Sequence, residues 1–153
     1  MRWIAMPLVF AVAVGCGPSE EEMAAEAAAA AAAEQDSLMA VVDSAYDPSV
    51  FDTLTWPTPT RRAEYGPLAY QSSCEKCHGT TGLGDGSWVV DGHSPPPPSF
   101  REPDWPLAGD LEGIRAAIFT GNREGMPHWG IVGLSYGAVD AVAQYIADGL
   151  PQG

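Results

Sequence analysis

The centre of the chain reads Cys74-Glu75-Lys76-Cys77-His78, which places two thiols and one imidazole within five residues. On a helix, positions i, i+3 and i+4 share one face, so these three side chains point to the same side. Both thiols can then reach the two vinyl groups of one porphyrin, and the imidazole can reach its iron. The pattern therefore predicts one covalently attached c-type haem, with Cys74 and Cys77 as attachment sites and His78 as an iron ligand.

Other interpretations of the two thiols fit less well. A four-thiolate zinc site needs a second cysteine pair, and the chain has only three cysteines. A thioredoxin-like redox disulfide needs alternating strands and helices, which the sequence does not indicate. The glycine-rich residues 79–86 lack the Gly-Lys-Ser/Thr ending of a phosphate loop, so we interpret them as a turn that leaves the haem helix.

A second axial ligand is expected downstream of His78. Only one methionine follows it, Met126, within Gly125-Met126-Pro127-His128-Trp129. Methionine is the usual partner of histidine in cytochromes c and raises the reduction potential. Gly125 permits close approach of the backbone to the ring, and Pro127 stiffens the loop. We predict Met126 as the sixth ligand, with Trp129 shielding the sulfur from water; His93 and His128 are the alternatives.

Four successive prolines, at positions 95–98, are incompatible with the interior of a helix. We expect them to form an extended wall on the His78 side of the haem. A proline carbonyl there would accept a hydrogen bond from Nδ1 of His78 and fix the tautomer of the ring.

The N-terminal residues have the form of an export signal. Residues 3–14 are an apolar run after Arg2, too short for a spanning helix of about 20 residues. Ala11-Val12-Ala13 suits an ordinary secretory cut. Ala13-Val14-Gly15-Cys16 instead resembles a bacterial lipoprotein signal, which implies a lipidated Cys16. We expect the second, since an odd exposed thiol is uncommon in an exported protein; the protein would then be anchored to a membrane on the periplasmic side.

Residues 17–60 contain nine acidic side chains and no basic one. Ser19 and Glu22 have the spacing of a capping box, and the alanine-rich residues that follow favour a helix to about Val42. We predict that residues 16–60 form a lipidated, acidic tether, helical or flexible, after a signal peptide at 1–15 and before a haem domain at 61–153. The alternative is a docking arm, with Phe51, Leu54 and Trp56 lying on the haem domain.

Helical periodicity continues around the haem motif. Asp110 is placed to cap a helix that ends near Gly121 and buries Leu111, Ile114 and Ile118. Ser135 is placed to cap a helix over residues 136–148. Pro67 is tolerated only in the first turn of a helix, so we expect the helix before Cys74 to begin at Gly66 and to be short.

Over residues 62–150 the chain resembles the class I monohaem cytochromes c. Gly66-x-x-x-Tyr70 before the haem motif looks like the first helix of that family, and residues 136–148 look like its C-terminal helix. The resemblance implies an all-α fold of three to four helices around one covalently bound haem, with Gly66 and Tyr70 packed across the C-terminal helix and Tyr145 as its aromatic. Pro98-Ser99-Phe100 is similar to the family's Pro-x-Leu segment, which implies Pro98 as the carbonyl partner of His78.

Charge and ligation together favour an electron carrier rather than an enzyme. The net charge of -13 argues against nucleic-acid binding and against a polybasic membrane-surface protein. We expect redox protein partners with basic docking surfaces in a respiratory chain. The prolines and Met-Pro-x-Trp are also similar to the haem subunits of bacterial respiratory complexes, so a subunit of a quinol-oxidising, terminal-oxidase or dehydrogenase complex is the main alternative. A haem enzyme or gas sensor with a labile methionine is the third.

Overall fold

A computed structural model describes residues 17–150, which contain helices and no strand. The all-α fold expected from the sequence is confirmed. None of the helices in this range is both long and apolar enough to cross a membrane. The predicted signal peptide and Cys16 lie outside the described residues. The helices are α1 Glu20–Ala45, α2 Ser49–Thr53, α3 Pro59–Ser73, α4 Glu75–His78, α5 Ser87–Val90, α6 Leu111–Thr120, α7 Trp129–Val132 and α8 Tyr136–Ala147.

Helix α1 begins at the predicted capping box. The backbone N–H of Ser19 donates to the carboxylate of Glu22 (2.7 Å), and the backbone N–H of Glu22 donates to the Ser19 hydroxyl (3.2 Å). These reciprocal bonds satisfy two N–H groups that would otherwise lack a helical partner. The predicted start is therefore confirmed, and the helix runs to Ala45, three residues past the predicted end.

The chain divides into two compact units, with the boundary between Glu34 and Gln35. Residues 35–60, predicted above as part of the tether, therefore belong to the same unit as the haem motif. The reason is burial of apolar side chains: Val42 and Phe51 lie in the core. The ring of Tyr46 lies 5.2 Å from that of Phe119, and the ring of Phe51 lies 5.1 Å from that of Tyr136. These contacts are those expected of the docking-arm alternative.

Helix α3 begins earlier than predicted. Its N-cap is Thr58, whose hydroxyl accepts from the N–H of Arg61 (3.2 Å), and Pro59 occupies the first helical position. The predicted short helix from Gly66 is wrong, because the Thr58-Pro59 pair is the stronger start signal. Pro67 consequently lies inside the helix, where it lacks the N–H of a regular helical hydrogen bond.

Helices α3 and α8 cross at Gly66. A Cβ atom there would lie 2.6 Å from the carbonyl oxygen of Ala141 and 3.0 Å from the Cβ of Tyr145. One turn later the rings of Tyr70 and Tyr145 meet edge to face at 5.6 Å. Gly66 therefore permits the close backbone approach that the resemblance implies.

The other two predicted helix starts are also found. The Asp110 carboxylate accepts from the N–H of Gly113 (2.9 Å) at α6, and the Ser135 hydroxyl accepts from the N–H of Ala138 (3.2 Å) at α8. The apolar faces of α6 and α8 meet in the core, where the buried side chains include Ile114, Ile118, Val139, Val142 and Ile146.

A buried carboxylate joins three helices and residues 51–56, which precede α3. Asp140 of α8 is 3% exposed, and its Oδ1 lies 2.7 Å from Nη2 of Arg62 on α3 and 2.5 Å from Nη2 of Arg115 on α6. Its Oδ2 accepts from the indole N–H of Trp56 (3.0 Å). The guanidinium of Arg115 also lies over the ring of Phe51, 4.8 Å from its centroid. One acidic side chain thus fixes the positions of α3, α6, α8 and residues 51–56 relative to one another.

Replacing Gly66 by alanine is expected to lower the free energy of unfolding by about 1–3 kcal/mol, because the added methyl group forces α3 and α8 apart. Gly137→Ala is the matched control. A Cβ atom at Gly137 would meet nothing closer than 3.8 Å, so this second variant should be neutral or more stable by up to about 1 kcal/mol. Urea unfolding measures both changes, and equal losses in the two variants would contradict the close crossing.

Candidate functional site

The haem motif occupies the junction of two helices. Cys74 is the C-cap of α3, and its N–H donates to the carbonyl of Tyr70 (2.8 Å). The N–H groups of Cys77 and His78 both donate hydrogen bonds to the carbonyl of Cys74, at 3.1 and 2.9 Å. Both thiols and the imidazole therefore lie on one helical turn, the arrangement predicted from their spacing.

Within residues 17–150 neither thiol forms a disulfide, and the two differ in environment. Cys74 is buried and Cys77 is half-buried. Burial, and then the neighbouring Cys77, raise the pKa of Cys74 to about 12. The Cys74 side chain is therefore a neutral thiol at physiological pH and is available to form a thioether bond.

His78 has a buried nitrogen that the protein does not satisfy. Within residues 17–150 its Nδ1 has no hydrogen-bond partner, so the predicted bond to the carbonyl of Pro98 is not present. The ring instead stacks on Phe100, with centroids 4.6 Å apart and planes inclined by 23°. Burial lowers the pKa of His78 to about 4, so at pH 7 the imidazole is neutral, the form that coordinates a metal.

The proline segment approaches a different part of the site. Pro98 is exposed, and the carbonyl of Pro97 lies beside Gly84, where a Cβ atom would come within 2.4 Å of it. The N–H of Phe100 donates to the carbonyl of Gly82 (2.8 Å). The segment therefore lines the turn after His78 and brings Phe100, rather than Pro98, to the imidazole.

Tyr70 fixes the turn that leaves the haem motif, a role that the sequence did not reveal. Its buried hydroxyl donates to the carbonyl of Gly79 (2.7 Å), directly after His78. Gly79 has a φ of +75°, which favours glycine, and the N–H of Gly84 returns to the carbonyl of His78 (2.9 Å). Burial, and then the Cys74 thiol, raise the pKa of Tyr70 well above its usual value, so the hydroxyl remains a donor at physiological pH.

The loop with the predicted sixth ligand is held by Asn122. The Asn122 side-chain oxygen accepts from the N–H of Met126 (3.0 Å), and the Asn122 N–H donates to the carbonyl of Met126 (3.1 Å). Met126 is half-buried and packs against the core cluster that contains Cys74. Trp129, the first residue of α7, packs against the same cluster.

The two alternative histidines are engaged elsewhere. His128 is buried, and its Nδ1 hydrogen-bonds to the carbonyl of Thr120 at the end of α6. His93 is exposed and meets the ring of Trp88 edge to face at 5.7 Å. These contacts favour Met126 over both histidines as the sixth ligand.

The residues present fit a covalently bound haem. Two free thiols and a neutral imidazole share one helical turn, and the imidazole nitrogen Nδ1 is buried without a partner. Phe100, Met126 and Trp129 supply apolar and sulfur contacts around the same core. Cys74 and Cys77 could hold the porphyrin, while His78 and Met126 could bind its iron.

Comparison with known families gives a match that covers the haem motif. A family model described as cytochrome C oxidase, cbb3-type, subunit III, matches residues 61–146, more than half of the chain. No curated protein and no solved structure matches. The matched residues include the haem motif, Met126 and most of α8.

Proposed function

Because the chain belongs to the family described as cytochrome C oxidase, cbb3-type, subunit III, whose members carry a c-type cytochrome domain with covalently bound haem c, we propose that it is a membrane-anchored carrier of single electrons. In this proposal His78 and Met126 would bind the haem iron. The observation that carries it is the single helical turn with Cys74, Cys77 and His78, inside the matched residues.

The protein's own residues set the properties of the site. Bound haem c supplies an iron that gains and loses one electron. Cys74 and Cys77 fix the ring to the end of α3. The neutral imidazole of His78, stacked on Phe100, supplies one ligand, and the thioether of Met126 supplies the other and raises the reduction potential. If His78 and Met126 both bind the iron, no coordination position would be open to a substrate, which supports an electron carrier over an enzyme.

Carbon monoxide binding tests this ligation. The reduced wild-type protein is expected to resist carbon monoxide at neutral pH, because the Met126 sulfur occupies the site. The Met126→Ala variant should bind carbon monoxide readily. In a redox titration it should exchange one electron at a lower reduction potential than the wild type. Wild-type protein that binds carbon monoxide as readily as Met126→Ala would instead support a haem enzyme or a gas sensor.

The proposal places the protein on the periplasmic side of a bacterial membrane, anchored through a lipidated Cys16. Several acyl chains on one residue give stable anchoring, whereas a single chain does not. Mass spectrometry of the mature N-terminus is expected to find an acylated Cys16. An unmodified start at Val14 would contradict the anchor and leave the haem site unaffected.

A fixed subunit of a respiratory complex is the second candidate, and the family description favours it. A subunit of a terminal oxidase would use the same haem domain while remaining bound to larger partners. Purification from native membranes in mild detergent separates the two candidates. A protein that migrates without large subunits supports a carrier that moves between partners. A protein that co-migrates with large subunits supports the complex.

The charge of the haem domain supports basic redox partners. Residues 61–153 contain eleven acidic and six basic side chains. Four of the basic ones form ion pairs within the described chain: Arg61, Arg62, Arg115 and Arg123. Association with a basic partner should therefore slow as salt is raised, because screening weakens the attraction. An electron-transfer rate that does not depend on salt would contradict this steering.

A further inference from the structure

The loop that carries Met126 is held from outside by helix α1. Nη2 of Arg123 lies 2.5 Å from Oδ1 of Asp36, and the backbone carbonyl of Arg123 accepts from the side-chain amide of Gln35 (3.1 Å). Two consecutive residues of α1 therefore contact both the side chain and the backbone of one loop residue. The two partners in the backbone contact are 88 positions apart in sequence.

Arg123 lies within the part of the loop that fixes Met126. The side-chain oxygen of Asn122, its neighbour, accepts from the N–H groups of Glu124 (2.9 Å) and Met126 (3.0 Å). Any movement that lifts Met126 away from the core must break these bonds or carry Arg123 with it. Contacts that hold Arg123 in place therefore oppose that movement.

Helix α1 is fixed to the core at its C-terminal end, so it can act as a rigid support. Val42 is fully buried, and Tyr46 packs on Phe119, next to the end of α6. The hydroxyl of Tyr136 donates to the carbonyl of Ala45 (3.0 Å) and accepts from the N–H of Asp47 (2.8 Å). Gln35 and Asp36 lie about two helical turns before this anchor.

We propose that Gln35 and Asp36 are positioning residues for the sixth iron ligand: by holding Arg123 they reduce the fraction of time that the loop releases Met126. The inference rests on the proposed ligation by Met126. Both side chains of the ion pair are more than half exposed, at 57% and 59%, so the pair contributes little to global stability. Their removal should therefore change loop opening without unfolding the domain.

Imidazole added to the oxidised, haem-loaded full chain measures this opening, because it reaches the iron only after Met126 leaves. Asp36→Arg and Arg123→Asp should each bind imidazole about two- to fivefold faster than wild type, and Gln35→Ala about two- to tenfold faster. The charge-swapped double variant, Asp36→Arg with Arg123→Asp, should return to nearly the wild-type rate. The thermal midpoint of each variant should stay close to that of the wild type.

Asp43→Arg is the matched control, since it makes the same charge change at an exposed position of the same helix. It should leave the imidazole rate unchanged. An unchanged rate in Asp36→Arg, an equal increase in Asp43→Arg, or a double variant that is not rescued would each overturn the positioning role. Met126→Ala should bind imidazole fastest; a wild type that binds equally fast would overturn the Met126 assignment, and the positioning role with it.

Discussion

Asp140→Ala is expected to lower the free energy of unfolding by about 3–5 kcal/mol, the usual cost of removing one partner from a buried ion pair. The substitution leaves the guanidinium groups of Arg62 and Arg115 and the indole N–H of Trp56 without their shared acceptor. It also removes the ion pairs that join α8 to α3 and to α6. Asp140→Asn, which retains the shape but removes the charge, should lose less.

Asp148→Ala provides the control for this prediction. Asp148 is an exposed carboxylate on the C-cap of α8, and its Oδ1 accepts a hydrogen bond from the side-chain amide of Gln144 (2.6 Å). Surface positions of this kind change stability by about 0.5 kcal/mol or less. Urea unfolding of the haem-loaded protein measures both variants. Similar, small losses in Asp140→Ala and Asp148→Ala would mean that the buried network does not hold the helices together.

The double variant Cys74→Ser with Cys77→Ser is expected to contain no covalently bound haem. A serine hydroxyl does not form the thioether bond, so any remaining haem is removed by denaturation and solvent extraction. Helical content should also fall, because the compact unit of residues 35–153 has a small core that the haem is expected to complete. Haem staining after denaturing electrophoresis and intact mass spectrometry measure the attachment, and circular dichroism measures the helix content.

Cys16→Ser is the control, because it removes a thiol that the haem does not need. This variant should keep one haem per chain and should be released from the membrane if Cys16 is the lipid anchor. Haem that survives denaturation in the double variant would contradict the attachment sites. Loss of haem in Cys16→Ser would do so as well.

The parts of the fold that depend on neighbouring residues could be predicted from the sequence. Ser19, Asp110 and Ser135 were predicted as N-caps, and each side chain accepts from an N–H three residues later. A cap is recognised from four consecutive positions, so no tertiary information is needed. The spacing of Cys74, Cys77 and His78 likewise required only the geometry of one helical turn.

The error at α3 came from two competing proline signals. Pro59 after Thr58 marks the start of α3, whereas Pro67, which is tolerated locally only in a first turn, predicts a start at Gly66. Packing across Gly66 supports the helix on both sides of Pro67. Tertiary contacts of this kind outweigh the local cost of a proline and are not visible in the local sequence.

The contacts that depend on distant residues were not predictable. Asp140 has the sequence of an ordinary helical aspartate, and its partners Arg62 and Arg115 lie 78 and 25 positions away. The hydroxyl bond from Tyr70 to the turn after His78 also requires the folded chain. The hydrogen bond expected between His78 and the carbonyl of Pro98 depends on where the folded backbone points that carbonyl. The structure brings the ring of Phe100 to the imidazole instead.

Proton NMR of the reduced, haem-loaded protein tests the His78–Met126 ligation most directly. A methyl group held against the face of the porphyrin is shifted far upfield by the ring current, so the spectrum should contain one such three-proton line, from Met126. The line should vanish in Met126→Leu and persist in Met39→Leu, which alters a half-buried methionine on α1. A wild-type spectrum without the line, or a line unchanged in Met126→Leu, would contradict the account.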